Sequence, residues 1–465
     1  YRLYGFTSQD VIAWDVSDPL APVQLTGPSV GPASGTWQLT FTDAAASPHT
    51  YAIAAANGLK HISAVAPAEP LTLDQPAQYL IVTYPGFTSV AQALAQHRQS
   101  HNGLTTLVVS TQAIYDHYSY GLLDPEAIRS FVHDAYAAWQ SGGAHTLSYL
   151  VLLGDGSYDF KNRLNWGLVN YVPPYLKDDI DPNWAGQAGS DHLFANESKT
   201  LPSVLVGRIP VRTASDATAV VRKIIAYETT APGGWSQYGL FAAGDPDTTY
   251  ATPYYFDKAS ERAVAAAVAT GRISAGSIRR VYQSLEPDAA PPHYYAGGST
   301  GTDVLLNFLR AGNRITTFFG HSSWYGWSSP SLFHVTDVPS LGPTPLTVLL
   351  EMTCFTGAFY HPGDPVLDEA LLLAPDRGTV SSVSPLSLGN AAGHDMMAGP
   401  LLASLLQGNT IGSALYSGEA ALDSSFADLI DTYTTIGDPA LTPAPGPSGP
   451  TYSVMIPVVE RASGH

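Results

Sequence analysis

The chain has 465 residues, 45% of them apolar and only 13% charged, with 39 Asp and Glu against 21 Lys and Arg and a formal net charge of −18. That length is too great for one ordinary core, so two or three domains are expected. The acidic balance and the absence of a basic stripe argue against nucleic acid as a partner. No run of about 18 apolar residues appears, which excludes a transmembrane helix, and the single cysteine, Cys354, excludes a disulfide within the chain.

Residues 1–70 read as short strands ("RLYGF", "VIAWDVSD", "TWQLTFTD", "TYAIAAANG") separated by Pro-, Gly- and Asp-rich turns, a small β module. "AVAPAEPLTLDQPAQ" (64–78) then reads as a linker. From residue 79 the pattern changes to wholly apolar strands alternating with helices. "YLIVTYPG", "LTTLVVST" and "LSYLVLLGDG" are strands, and "SVAQALAQHRQSH" and "DPEAIRSFVHDAYAAWQS" are helices. Asp124 caps the second helix, with Pro125 at its first position. "SVLVGRIPVRT" is a further strand, followed by the helix "SDATAVVRKIIAYE" with Ser215 as its cap. Strands that are apolar throughout, alternating with helices, predict mainly parallel sheets covered on both faces.

A second α/β run begins near 231. Its strands are "YGLFAAGD", "RITTFFG", "LTVLLEMTC" and "GTVSSVSPLSL". Helices are expected over "YYFDKASERAVAAAVA" and near 365–373 and 400–416. "TYTTIGDPALTP" closes the unit near 443, and 445–465 is a linker and tail. The domain reading is therefore 1–70, 71–230, 231–444 and 445–465.

Two reactive side chains stand at strand ends. His321 follows "RITTFFG" and Cys354 ends "LTVLLEMTC". In open parallel sheets, sites form outside the carboxyl ends of strands, so if these strands are neighbours the imidazole and the thiol face one crevice. A thiol is a good nucleophile once deprotonated, and a nearby imidazole can take its proton and return one to a leaving amine. On spacing alone, a His that caps a strand and a Cys that fills a gap fit equally well.

"GHSSWYGW", followed at a 33-residue interval by "EMTCFTGAF", resembles the gingipain-type (C25-like) cysteine peptidases, which have a caspase-like fold. "SDHLFA", "LPSVLVGRIPVRT", "DEALLL", "DRGTVSSVS" and the closing "TTIGDPAL" extend the resemblance over roughly 79–443. It implies a caspase-like α/β fold of two subdomains, 231–444 being the catalytic one, behind the β module. It implies a cysteine endopeptidase in which Cys354 is the nucleophile and His321 the acid/base, with main-chain N–H groups of Cys354 and Ser322, beside Gly320, facing the oxyanion. The family usually has Gly where this chain has Ser322, which narrows the room for a substrate carbonyl.

The resemblance also implies an acid that orients the His. It falls in "AAGDPDTTYATPYYFDKASERA", with Asp245 first and Asp247 in reserve. Asp257 falls where Arg-specific members bind a basic P1 side chain, although a helix-start Asp is the plainer reading. Trp324, Tyr325 and Trp327 either wall that pocket or pack the loop. Two alternatives to a hydrolase are a sortase-like transpeptidase and an inactive cell-surface scaffold of the same fold.

No cofactor is required for this chemistry. His334, His361 and His394 lack zinc-site spacing. "LKDDIDPN" (176–183) groups carboxylates that suit structural calcium or simply a solvated loop. The expected setting is bacterial and extracellular or cell-surface, with a protein or peptide as substrate. A chain starting at Tyr1 reads as a mature or trimmed form.

Overall fold

A computed structural model describes the chain except for residues 44–47, 61–66, 142, 179–180, 182–185, 250–251, 284–298, 329–330 and 447–465. The chain divides into two compact units, Tyr1–Pro67 and the remainder from Ala68.

The larger unit is built on one ten-stranded sheet. In chain order its elements are β1 (Tyr79–Thr83), α1 (Thr88–Asn102), β2 (Thr106–Ser110), α2 (Thr111–Tyr118), α3 (Pro125–Ala138), β3 (Tyr149–Leu153), β4 (Leu205–Ile209) and α4 (Ala214–Thr229). There follow β5 (Gly239–Ala243), α5 (Phe256–Ala269), β6 (Ile278–Tyr282), α6 (Ser299–Arg310), β7 (Ile315–Phe319), β8 (Thr347–Met352) and α7 (Leu367–Leu373). The last are β9 (Thr379–Pro385), α8 (Ala391–Leu406), α9 (Ile411–Glu419), α10 (Asp428–Thr432) and β10 (Tyr433–Ile436). Their spatial order is β6-β5-β7-β8-β9-β10-β4-β3-β1-β2.

All neighbouring pairs are parallel except β9 with β10. The sheet is therefore two parallel five-stranded halves pointing opposite ways. β10, last in sequence, joins the first half beside β4. The apolar strands are apolar because both faces are covered. Tyr79 and Ile81 of β1 pack with α1, α4 and α9, and the intervening Leu80 and Val82 pack with α2 and α3. Phe241 and Ala243 of β5 likewise face α5 and α8, and Leu240 and Ala242 face α6.

Helix starts follow their caps. Asp124 accepts from the Glu126 amide and Pro125 is the first residue of α3. The cap of α4 is Thr213, which accepts from the Asp216 amide, so the expected cap Ser215 lies inside the helix. The "GDP" of the closing motif has a packing role: Asp438 is buried and accepts from Tyr79 Oη at 2.8 Å and Arg98 Nε at 2.7 Å. Arg98 also reaches Glu228 at 2.9 Å, so the buried guanidinium is paired on both sides.

The Tyr1–Pro67 unit consists of two antiparallel three-stranded sheets around Leu39, Phe41 and Ala13.

Candidate active site

β7 and β8 are hydrogen-bonded neighbours, with Phe319 paired to Met352. His321 and Cys354 each stand two residues beyond that pair. The sheet register thus presents both side chains off adjacent strand ends, at matching depth.

Beyond β8 the chain turns sharply. Phe355 has φ +57°, a left-handed conformation that costs energy for a bulky residue. Its amide donates to Ser387 O at 3.1 Å, the Thr356 amide donates to Cys354 O at 2.7 Å, and Thr356 Oγ1 donates to Glu351 Oε2 at 2.6 Å. These bonds hold the turn that exposes part of Cys354. Gly389, just past β9, donates its amide to Cys354 Sγ at 3.4 Å. Burial pushes the Cys354 thiol up, and the Gly389 amide acts in the opposite sense. A Cβ at Gly389 would lie 2.2 Å from His394 Nε2, so only glycine fits there. His394 is buried, its ring 5.6 Å from Tyr433, and burial lowers its imidazole to about 3. Neither Gly389 nor His394 was singled out in this role from the sequence. The available signal was a glycine closing the strand next to the one that ends in Cys354.

The His321 side chain is 60% exposed, and its Nε2 lies 3.4 Å from Asp247 Oδ2. The Phe256 ring meets the imidazole edge-on at 5.2 Å. Asp247 is held by an antiparallel bridge to Tyr254 and accepts from the Thr249 amide at 2.9 Å. Burial pushes its carboxyl up, but the Thr249 hydroxyl and amide, and then His321, outweigh that and hold it below the usual value. Asp245, the expected orienting acid, is two residues away, and partial burial pushes its carboxyl up. Asp247 is therefore the carboxylate that the fold brings to the imidazole.

The Ser322 hydroxyl is the unexpected member. Its Oγ accepts from the Cys354 main-chain N–H at 3.0 Å and lies 2.6 Å from Thr353 Oγ1. It also bonds Cys354 O. Thr353 Oγ1 in turn reaches Gly320 O at 2.6 Å. Gly320 spends its N–H on Met352 O at 3.4 Å, so it is a ladder residue and not an oxyanion donor.

Trp327 is not a pocket wall. It is 1% exposed, stacks on Phe318 at 4.5 Å, and donates Nε1 to Glu351 Oε1 at 2.5 Å. Glu351 is buried, and burial followed by Asp368 pushes its carboxyl well up. Trp324 is partly buried between Phe355 at 5.1 Å and His361 at 4.9 Å, beside the nucleophile's turn. Tyr325 meets the same His361 edge-on at 6.1 Å. Asp257 is 3% exposed in the first turn of α5, next to Phe256.

In the loop proposed for calcium, Asp178 is exposed and Asp181 is buried, accepting from Ser387 Oγ at 2.6 Å, while Asp179 lies outside the described residues. Among the described residues no group of three or more His, Cys, Asp or Glu is placed to hold a metal ion, and no helix is long and apolar enough to cross a membrane.

The sequence profile of peptidase family C25 matches residues 72–444. No curated protein matches. Among solved structures, the Arg-specific cysteine proteinase gingipain R (RgpB) is 19% identical, with a TM-score of 0.60 over 82% of this chain and 80% of that one. The complex of Porphyromonas gingivalis RgpB pro- and mature domains is 19% identical, with a TM-score of 0.59 over 78% and 79%. A structure described only as a protease is 14% identical, with a TM-score of 0.61 over 82% of each chain. At these identities the structural likeness shows the fold: the expected caspase-like α/β architecture, with small antiparallel sheets at the N-terminus.

Proposed function

The chain belongs to peptidase family C25, a family of cysteine peptidases, and from that premise we propose that it is an endopeptidase working through Cys354 and His321. The observation that carries the proposal is the register of β7 and β8, which sets the one thiol and the imidazole off adjacent strand ends.

His321 takes the thiol proton as Sγ attacks the scissile carbonyl carbon. The carbonyl π pair moves to oxygen, giving a tetrahedral intermediate. Collapse breaks the C–N bond, and the imidazolium gives its proton to the departing amine. The thioester is then attacked by water, with His321 as base, and Cys354 leaves as the thiol once the proton returns. Asp247 is a positioning residue: its carboxylate on Nε2 leaves Nδ1 for the reacting groups and favours the charged ring in each proton-holding step.

A basic P1 side chain is the preferred substrate in this proposal. Asp257 supports it. It follows Phe256, whose ring touches His321, and a carboxylate at that depth suits a long cationic side chain. The acidic, Lys-poor composition supports an extracellular or cell-surface setting.

The test is a peptide-library cleavage profile together with a peptidyl chloromethyl ketone. Labelling in the wild type, none in Cys354→Ala, and cleavage after Arg or Lys are expected. No labelling of the wild type in active buffer and after any activation would leave an inactive scaffold. A product joined to an added amine would mark a transpeptidase.

A further inference from the structure

When a thiolate attacks a peptide, the carbonyl oxygen gains a full charge, and the N–H of the attacking residue is the donor closest to it. In this chain that donor is already engaged. Ser322 Oγ accepts the Cys354 N–H at 3.0 Å, lies 2.6 Å from Thr353 Oγ1 and bonds Cys354 O. The hydroxyl is thus held entirely by the nucleophile's own segment. One N–H makes one strong, near-linear bond, so a substrate oxygen and Ser322 Oγ cannot both have it.

We propose that Ser322 Oγ is a placeholder for the substrate's oxygen: it fills the oxyanion position in the free enzyme and swings off the Cys354 N–H as the tetrahedral intermediate forms. The inference rests on the peptidase reading above.

The exchange is physically reasonable because the two bonds differ in strength. The bond to Ser322 is neutral, whereas the bond to an oxyanion is charge-assisted and about twice as strong. A neutral carbonyl gains nothing by displacing the hydroxyl. A developing oxyanion does, so the displacement favours the transition state over bound substrate. The movement itself is a rotation between staggered χ1 wells of a side chain with one heavy atom beyond Cβ. A cost remains, because the hydroxyl's bond must break before the N–H can serve. Removing the hydroxyl should therefore raise kcat/KM about three- to tenfold, the rate equivalent of one neutral hydrogen bond.

The experiment has two arms. In the first, wild type, Ser322→Ala, Ser322→Gly and Ser322→Thr are assayed with a fluorogenic peptide and with a peptide aldehyde. The aldehyde adds the Cys354 sulfur to its carbonyl carbon. The π pair goes to oxygen, which is left as an oxyanion while His321 keeps the thiol proton as imidazolium, and nothing leaves. Ala and Gly should gain in both rate and aldehyde affinity, and Thr, which keeps the hydroxyl, should not. In the second arm, the wild-type aldehyde adduct is solved. Its oxygen should accept from the Cys354 N–H, with Ser322 in a new rotamer.

An adduct with Ser322 Oγ still on the Cys354 N–H overturns the placeholder alone. So does a loss of aldehyde affinity in Ala and Gly with unchanged iodoacetamide alkylation of Cys354, the mark of a hydroxyl that donates to the oxyanion. Failure of the wild type to form any adduct overturns the peptidase reading and the placeholder with it. If the variants do not fold, the wild-type adduct decides.

Discussion

His321 Nε2 lies 3.4 Å from Asp247 Oδ2, and the Asp247 side chain is 9% exposed while the imidazole it faces is 60% exposed. A shielded carboxylate behind an open ring is placed to set the ring's orientation without blocking its other nitrogen.

Asp247→Asn should lower kcat by about ten- to a hundredfold with little change in KM, because misorientation of a reacting group is costly. Asp245→Asn should change it less than about twofold, a surface-level effect. Asp247→Glu should recover part of the loss. Steady-state kinetics on the three variants checks this, and equal effects from Asp245 and Asp247 would count against the assignment.

The free enzyme should not hold a ready thiolate. Burial pushes the Cys354 thiol above the ordinary thiol range, so the protonated form dominates at neutral pH. Iodoacetamide alkylation of Cys354 should therefore rise with pH up to and beyond 9. A rate that is already on a plateau at pH 6 would mean a preformed thiolate instead.

Gly389→Ala should abolish turnover. The new Cβ would meet His394 Nε2 at 2.2 Å and Thr353 O at 3.2 Å. The ring is buried against Tyr433, so the Gly389 amide must move off Cys354 Sγ. Loss of peptidyl labelling with a folded circular dichroism spectrum is the expected result. Wild-type labelling would show that the segment adapts.

Lys223 of α4 is buried, and its Nζ lies 3.1, 3.0, 2.7 and 2.8 Å from the carbonyl oxygens of Leu371, Leu372, Ala374 and Arg377, among which its three N–H groups are shared. The ammonium closes the C-terminal end of α7, where carbonyls lack helical partners. Lys223→Met keeps the length and removes the donors. Leaving buried acceptors unpaired should cost about 1–3 kcal/mol. Denaturant unfolding would read this directly, and no loss would mean that water replaces the ammonium.

Much of the strand and helix order was legible, because strands such as β1, β3 and β8 are apolar throughout and α3 carries its Asp124 cap, whereas β6, with two arginines, and the helices α2 and α6 were not read from the sequence. What the pattern could not give was pairing. Nothing in "TYTTIGDPALTP" says that this strand lies beside "SVLVGRIPVRT", more than 200 residues earlier in the chain. That depends on Asp438 finding Tyr79 and Arg98. Six residues after His321, Trp327 was open to two readings, a wall of the site or packing of its loop. Its neighbour in space, Glu351, lies in the facing strand and draws it into the core.

The sequence by itself determined the chemistry on offer: one thiol, an imidazole 33 residues before it, and strand ends to carry both. Their types and their place after apolar runs are local properties, and local properties are written in the chain. Tertiary structure alone decided which acid meets the imidazole and what meets the Cys354 N–H. Asp245 and Asp247 differ by two residues in the same turn, and only the bridge of Asp247 to Tyr254 aims one of them. The side chain at 322 could be read as a departure from glycine, but its hydroxyl gains its role only because β7 and β8 pair in one register. A slip of one residue would turn Ser322 away from Cys354.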